Sequence, residues 1–214
     1  MQLSTKAKNI ITQISDQNTK LGDLRKIAKD IKKDHALAME LWYSEQYFAR
    51  QLAILIMDKK RLNEVTIDSL INDINQHHEK EKLQLIDWLF ANQLSKDKKT
   101  IELIESWENS PYALKRRIFW YHQARLRWVG QTPPPNSEQL LAKIESSIEK
   151  EVSEVQWAMN FTTGWIGVFE KKYRDRCVAI GEKIGLYKGE IVSKGCTPNY
   201  LPEFITIESN KRNL

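Results

Sequence analysis

Apolar residues recur at intervals of three and four along most of the chain. The runs are Leu24, Ile27, Ala28 and Ile31; Leu37 and Leu41; Phe48, Leu52, Leu55 and Ile56; Leu83, Ile86, Leu89 and Phe90; Ile101 and Ile104; and Leu140, Leu141, Ile144 and Ile148. That spacing keeps one face of an α-helix apolar and does not suit a strand, whose faces alternate at every residue. Capping and breaking residues separate the runs: Asp34 before His35, Ser44 with Glu45, Thr66 before Ile67, Asn109-Ser110-Pro111, and Asn136-Ser137-Glu138. The pattern predicts an all-α chain of about eleven helices, each roughly 8 to 20 residues long. Short connections make sequential helices antiparallel neighbours, and many such pairs in one chain predict an α-solenoid rather than a closed bundle.

At 214 residues the chain is long enough to bury a core without staples, and a single domain over 1–214 is expected. The stretch 130–136, with Pro133, Pro134 and Pro135, is the one candidate loop or linker. Beyond Gly185 the helical period fades, which predicts an irregular C-terminal tail over 187–214. Cys177 and Cys196 are the only cysteines and match no zinc spacing, so neither a disulfide framework nor a metal site is expected. The first residues lack an apolar signal core, and no window approaches the apolar length of a membrane span. The expectation is a cytoplasmic protein with no membrane partner; oligomeric state is not encoded in any readable way.

The net charge of +5 favours acidic partners only modestly, but its placement is uneven. No acidic residue lies between Glu108 and Glu138, and the stretch Tyr112–Trp128 holds five cations and five aromatics. On a helix, Arg116, Trp120 and Arg127 fall within about 40° of one another, with Leu114, Ile118 and Tyr121 opposite. One face then packs while the other offers charge beside flat rings, a combination suited to a phosphodiester backbone with its sugars and bases. Lys115, Arg116, Arg117, Trp120 and Arg127 are the DNA-contact candidates from this stretch. The plainer alternative is a structural helix whose rings are core and whose Arg stems cover apolar surface.

Several segments together resemble the AlkD-type DNA alkylation repair glycosylases, built from HEAT-like helical repeats. They are Gly22-Asp23-Leu24-Arg25-Lys26-Ile27-Ala28-Lys29, Glu40-Leu41-Trp42, Phe48-Ala49-Arg50-Gln51-Leu52-Ala53, and Ser106-Trp107-Glu108-Asn109-Ser110 running into Leu114-Lys115-Arg116-Arg117. The resemblance implies a HEAT-like α-solenoid with a basic groove for duplex DNA, alkylated in the case of active members. Those members cleave the N-glycosidic bond of N3- or N7-alkylated purines without metal or cofactor. Their cleft holds aromatics against the deoxyribose, an aspartate near the sugar, and an arginine. Carried over by position, these fall on Trp88, Asn92, Arg116 and, with the least secure register, Phe161.

The family's aspartate position is therefore an asparagine. Glycosidic cleavage leaves positive charge on the sugar, and a carboxylate beside it stabilises that charge. Losing a few kcal/mol of such stabilisation slows cleavage by two to three orders of magnitude. Asp87 lies about 140° around the helix from Asn92, too far to substitute in an ordinary orientation, while Glu105 and Glu108 belong to a neighbouring segment. His77, His78 and His122 read as structural or hydrogen-bonding groups before catalytic ones. Two functions stand: a DNA-binding protein of this family that excises alkylated purines, or a catalytically inactive HEAT-repeat scaffold for structured DNA, RNA or a protein.

Overall fold

The computed structural model describes residues 3–15, 19–128 and 132–214. Among them are twelve α-helices and no strand. The chain divides into two compact units, Met1–Leu103 and Ile104–Leu214. The first holds α1 (Thr5–Ile14), α2 (Leu21–Ile31), α3 (His35–Trp42), α4 (Tyr47–Ile56), α5 (Glu64–Ile74) and α6 (Glu79–Asn92). The boundary falls within α7 (Lys98–Glu105). The second holds α8 (Ala113–Trp128), α9 (Ser137–Ser147), α10 (Ser153–Phe169), α11 (Arg174–Ile184) and α12 (Leu201–Asn210). The proline stretch lies inside the second unit; Gly130 and Gln131 are outside the described residues, and Pro133–Asn136 is irregular chain leading into α9.

Local chemistry sets the helix starts. Ser4 Oγ accepts from Ala7 N at 3.1 Å, Asp34 Oδ1 from Leu37 N at 3.1 Å, and Asn63 Oδ1 from Thr66 N at 2.9 Å, each meeting an amide the helix leaves unpaired. The Leu37 amide, with Lys6 nearby, holds the Asp34 carboxyl below its ordinary range. The cap of α5 is thus Asn63, and Thr66, expected to mark that boundary, lies one turn inside.

In the first unit α3 packs on α4 and α5 on α6, while α2 and α6 both lie against α4. Leu24, Leu41, Trp42, Leu52, Ile56, Ile74, Leu85 and Leu89 are fully buried in its core. The second unit is organised on α8 and α10, its most extensive packing pair. Thr162 Oγ1 on α10 donates to Trp120 O on α8 at 2.6 Å, which ties the two helices at mid-length.

The C-terminal segment expected to be irregular contains α12, packed on α10 and α11. Pro202 stands in its first turn, where a missing amide hydrogen costs nothing. Leu201, Phe204 and Ile205 are buried, and the glycines of α10 let them approach. A Cβ on Gly164 would fall 2.7 Å from the Phe204 ring, and one on Gly167 2.6 Å from Ile205.

Candidate nucleic-acid interface

In the first unit, α6 brings Trp88 and Asn92 together one turn apart, both half-buried. The Trp88 indole Nε1 donates to Gln51 O on α4 at 3.1 Å, which fixes the ring. The Asn92 amide nitrogen donates to Trp88 O at 2.9 Å. An aspartate could not make that bond, since both its oxygens would face a carbonyl. The geometry therefore belongs to an amide, and no negative charge stands at this position.

Arg25 of α2 is a member of this group that sequence reasoning did not single out. Its guanidinium lies 5.1 Å from the Trp88 ring centroid, within cation–π range. Arg25 appeared in the sequence only as part of a family-like segment, and nothing local marks it as the residue that meets a tryptophan 63 positions on.

Also in the first unit, Arg50 is buried under the Trp42 ring at 5.0 Å and donates to Trp42 O and Asp73 O. Its Nη1 lies 2.6 Å from His77 Nε2, and His77 Nδ1 lies 2.8 Å from Glu81. An arginine can only donate, so Nε2 accepts and the ring hydrogen sits on Nδ1 facing Glu81. These groups line a cavity of about 380 Å³ with Glu45 and His78. His77 is thereby a linking group in a polar network, and its neighbour His78 stands at the N-cap of α6 without a side-chain capping hydrogen bond.

In the second unit the expected open face of α8 is not open. Trp120 is 1% exposed and Arg127 2%. Arg127 donates through Nε to Glu170 Oε1 at 2.8 Å, through Nη1 to Gln123 O at 2.8 Å, and through Nη2 to Ser137 Oγ at 2.7 Å. Burial pulls its pKa down and Glu170 opposes that shift. Residues from the α8–α9 connection and the end of α10 cover the charge that sequence reading had placed in solvent. Trp120 and Arg127 are therefore removed from the candidate DNA contacts.

Lys115, Arg116 and Arg117 of α8 are also engaged. Arg116 Nε and Nη2 donate to the two oxygens of Glu151 at 2.9 and 2.7 Å, and Nη1 donates to Ser110 O at 2.7 Å. This is a bidentate pair, the stronger arrangement for a guanidinium and a carboxylate. It borders a cavity of about 250 Å³ with Glu108, Asn109, Lys143 and Met159. Arg117 lies 4.4 Å from the Trp157 centroid and donates to Glu154 O at 2.8 Å. Lys115 is buried with its ammonium 5.3 Å from the Trp107 centroid. The acid-free stretch in the sequence is thus answered by Glu151 and Glu170, 35 and 43 residues from their arginines. Only the tertiary fold carries that signal.

Phe161 joins a set of rings on α8, α10 and α12. It stacks on Trp157 at 4.9 Å and 15°, and meets Tyr121, Trp128 and Phe204 edge to face. Tyr121, Trp128, Trp157 and Phe161 are all half-buried, so the cluster presents flat apolar surface as well as core. Trp165 lies beneath, 5% exposed, its Nε1 without a hydrogen-bond acceptor among the described residues and its ring under the Arg212 guanidinium at 4.8 Å. His122, also on α8, is 3% exposed, and burial pushes its pKa down to about 4. Burial likewise raises the Cys177 thiol to about 12, which removes it as a nucleophile.

Among the described residues no helix is long and apolar enough to cross a membrane, and no three His, Cys, Asp or Glu gather as a metal-binding set. A comparison with curated proteins gives no match. A solved structure described as "a new family of proteins related to the HEAT-like repeat DNA glycosylases with affinity for branched DNA structures" matches with a TM-score of 0.65 and 19% identity. It covers 99% of this chain and 89% of that one. At that identity the likeness establishes the fold, an all-helical HEAT-like arrangement. The sequence profile described as DNA alkylation repair enzyme matches residues 16–165, well over half of the 214. The chain belongs to the DNA alkylation repair enzyme family.

Proposed function

We propose that this protein binds DNA, with preference for branched structures, and does not excise alkylated bases. The observation that carries this reading is Asn92: where the family resemblance leads one to expect an aspartate, there is an amide bonded to the Trp88 carbonyl at 2.9 Å. An oxocarbenium-like transition state forming beside it would meet no fixed negative charge, at a cost of two to three orders of magnitude in rate.

Binding does not need that charge. The half-buried rings of Tyr121, Trp157 and Phe161 offer the flat surface on which sugars and bases rest. Arg116, Arg117 and Lys115 border or underlie this unit's surface, although their engagement with Glu151, Glu154 and Trp107 makes them support more than contact. The preference for branched DNA follows the description of the structural relative, and an alkylated duplex is the competing ligand to be tested beside it. The fold match over 99% of the chain supports treating 1–214 as one functional domain. The two free thiols are consistent with a reducing, cytoplasmic setting.

Release of 7-methylguanine from alkylated duplex DNA tests the catalytic half of this reading. The wild-type protein is expected to release base no faster than the uncatalysed reaction. Asn92→Asp is expected to remain inactive, because its carboxylate loses the Trp88 bond and faces that carbonyl instead. Wild-type turnover would overturn the proposal.

A further inference from the structure

We infer that Arg25 and Lys29 on α2 form a phosphate-binding site for a nucleic-acid strand, with Arg25 oriented by the Trp88 ring. The inference rests on the DNA-binding reading above and assigns it residues in the first unit.

Arg25 is exposed, and its guanidinium lies 5.1 Å from the Trp88 ring centroid with no ion pair among the described residues. A guanidinium resting over a ring leaves its N–H donors unspent by that contact, and their fixed fork matches two oxygens of a phosphate. Among the described residues no carboxylate pairs with Arg25. Around α2, Asp23 lies about 160° and Asp30 about 140° from Arg25, on other sides of the helix. Asp23 in turn is occupied by the Lys20 amide at 3.1 Å and by Lys26 at 3.8 Å.

Lys29 stands one turn along the same face as Arg25, about 40° away and about 6 Å further along the axis. It is exposed and makes no ion pair among the described residues. The contrast with the second unit is chemical. Arg116, Arg127 and Arg176 there are each matched to glutamates, whereas Arg25 and Lys29 have no carboxylate partner among the described residues. Trp88 is fixed by Gln51 O at 3.1 Å, so the platform under Arg25 is set before any ligand arrives.

The test uses the full chain, a labelled three-way DNA junction, and fluorescence anisotropy across roughly 50 to 200 mM salt. Wild type is compared with Arg25→Gln and Arg25→Lys, and thermal melts confirm that all three fold. Arg25→Gln should lower affinity about tenfold at the low-salt end and about threefold at the high end, with the slope of log K against log salt shallower by about one. Arg25→Lys should keep the wild-type slope while losing part of the affinity, since charge is retained and the planar fork is not. If wild type binds and Arg25→Gln matches it in affinity and slope, this site is wrong and the DNA-binding reading stands. An Arg25→Gln loss with unchanged slope also rejects a phosphate contact. If wild type itself does not bind, the parent reading fails.

Discussion

An amide and a carboxylate differ by one heavy atom and one charge, and at position 92 the proposed loss of base excision rests on that difference together with the hydrogen bond the amide makes. The family resemblance made this substitution legible in the sequence, because Trp88 and Asn92 keep the spacing of the family pair. Its consequence needed the structure, which shows the amide committed to the Trp88 carbonyl. Arg127 and Trp120 show the opposite case. A residue's solvent exposure depends on what packs over it, and Glu170, Asn136 and Ser137, which cover Arg127, are not its neighbours in sequence. His122 gives a prediction at this scale. Its folded pKa of about 4 lies below the 6.5 of an unfolded histidine, so the unfolded chain takes up the proton first. Stability is full above pH 6.5 and is lost as pH falls toward 4, by as much as about 3 kcal/mol. Urea denaturation at neutral and acid pH should show a larger loss for wild type than for His122→Phe. Equal losses would mean that His122 is not kept neutral by burial.

Helix type and placement were legible wherever apolar residues recur with a clean period, as in α2, α4 and α6. Two elements were not. The α8 pattern mixes charge with rings on every side, which suggested an open face; the structure buries the helix nearly all round and supplies counter-charges from later elements. The α12 signal was present, since Leu201, Phe204, Ile205 and Glu208 follow helical spacing and are all buried. It was obscured by Pro202 and by the glycines upstream. The seat for α12 depends on missing side chains. Gly164→Ala would place a methyl 2.7 Å from the Phe204 ring, and overpacking of this kind costs about 1 to 3 kcal/mol. Adding Phe204→Leu should recover part of the lost melting temperature. Gly164→Ala alone melting with the wild type would show that α12 is not seated as described.

For the whole chain, the count of 33 lysines and arginines overstates the cations free for a ligand, because buried and half-buried arginines of the second unit are matched to glutamates. Pairing leaves the net charge of +5 unchanged but decides which cations face a polyanion, and that assignment needs coordinates. Family membership and the HEAT-like fold were readable from the order and spacing of short segments, because each helical repeat imposes its own local pattern. The partition of cations into paired and unpaired groups was not, because it arises between elements.

The most direct test is a titration of three labelled DNAs, namely a three-way junction, an unmodified duplex and the same duplex carrying 7-methylguanine, at low and physiological salt. The account predicts tightest binding to the junction, equal binding to the two duplexes, and affinity for all three falling steeply with salt. Selective binding of the methylated duplex, or no binding to any of them at low salt, would contradict it.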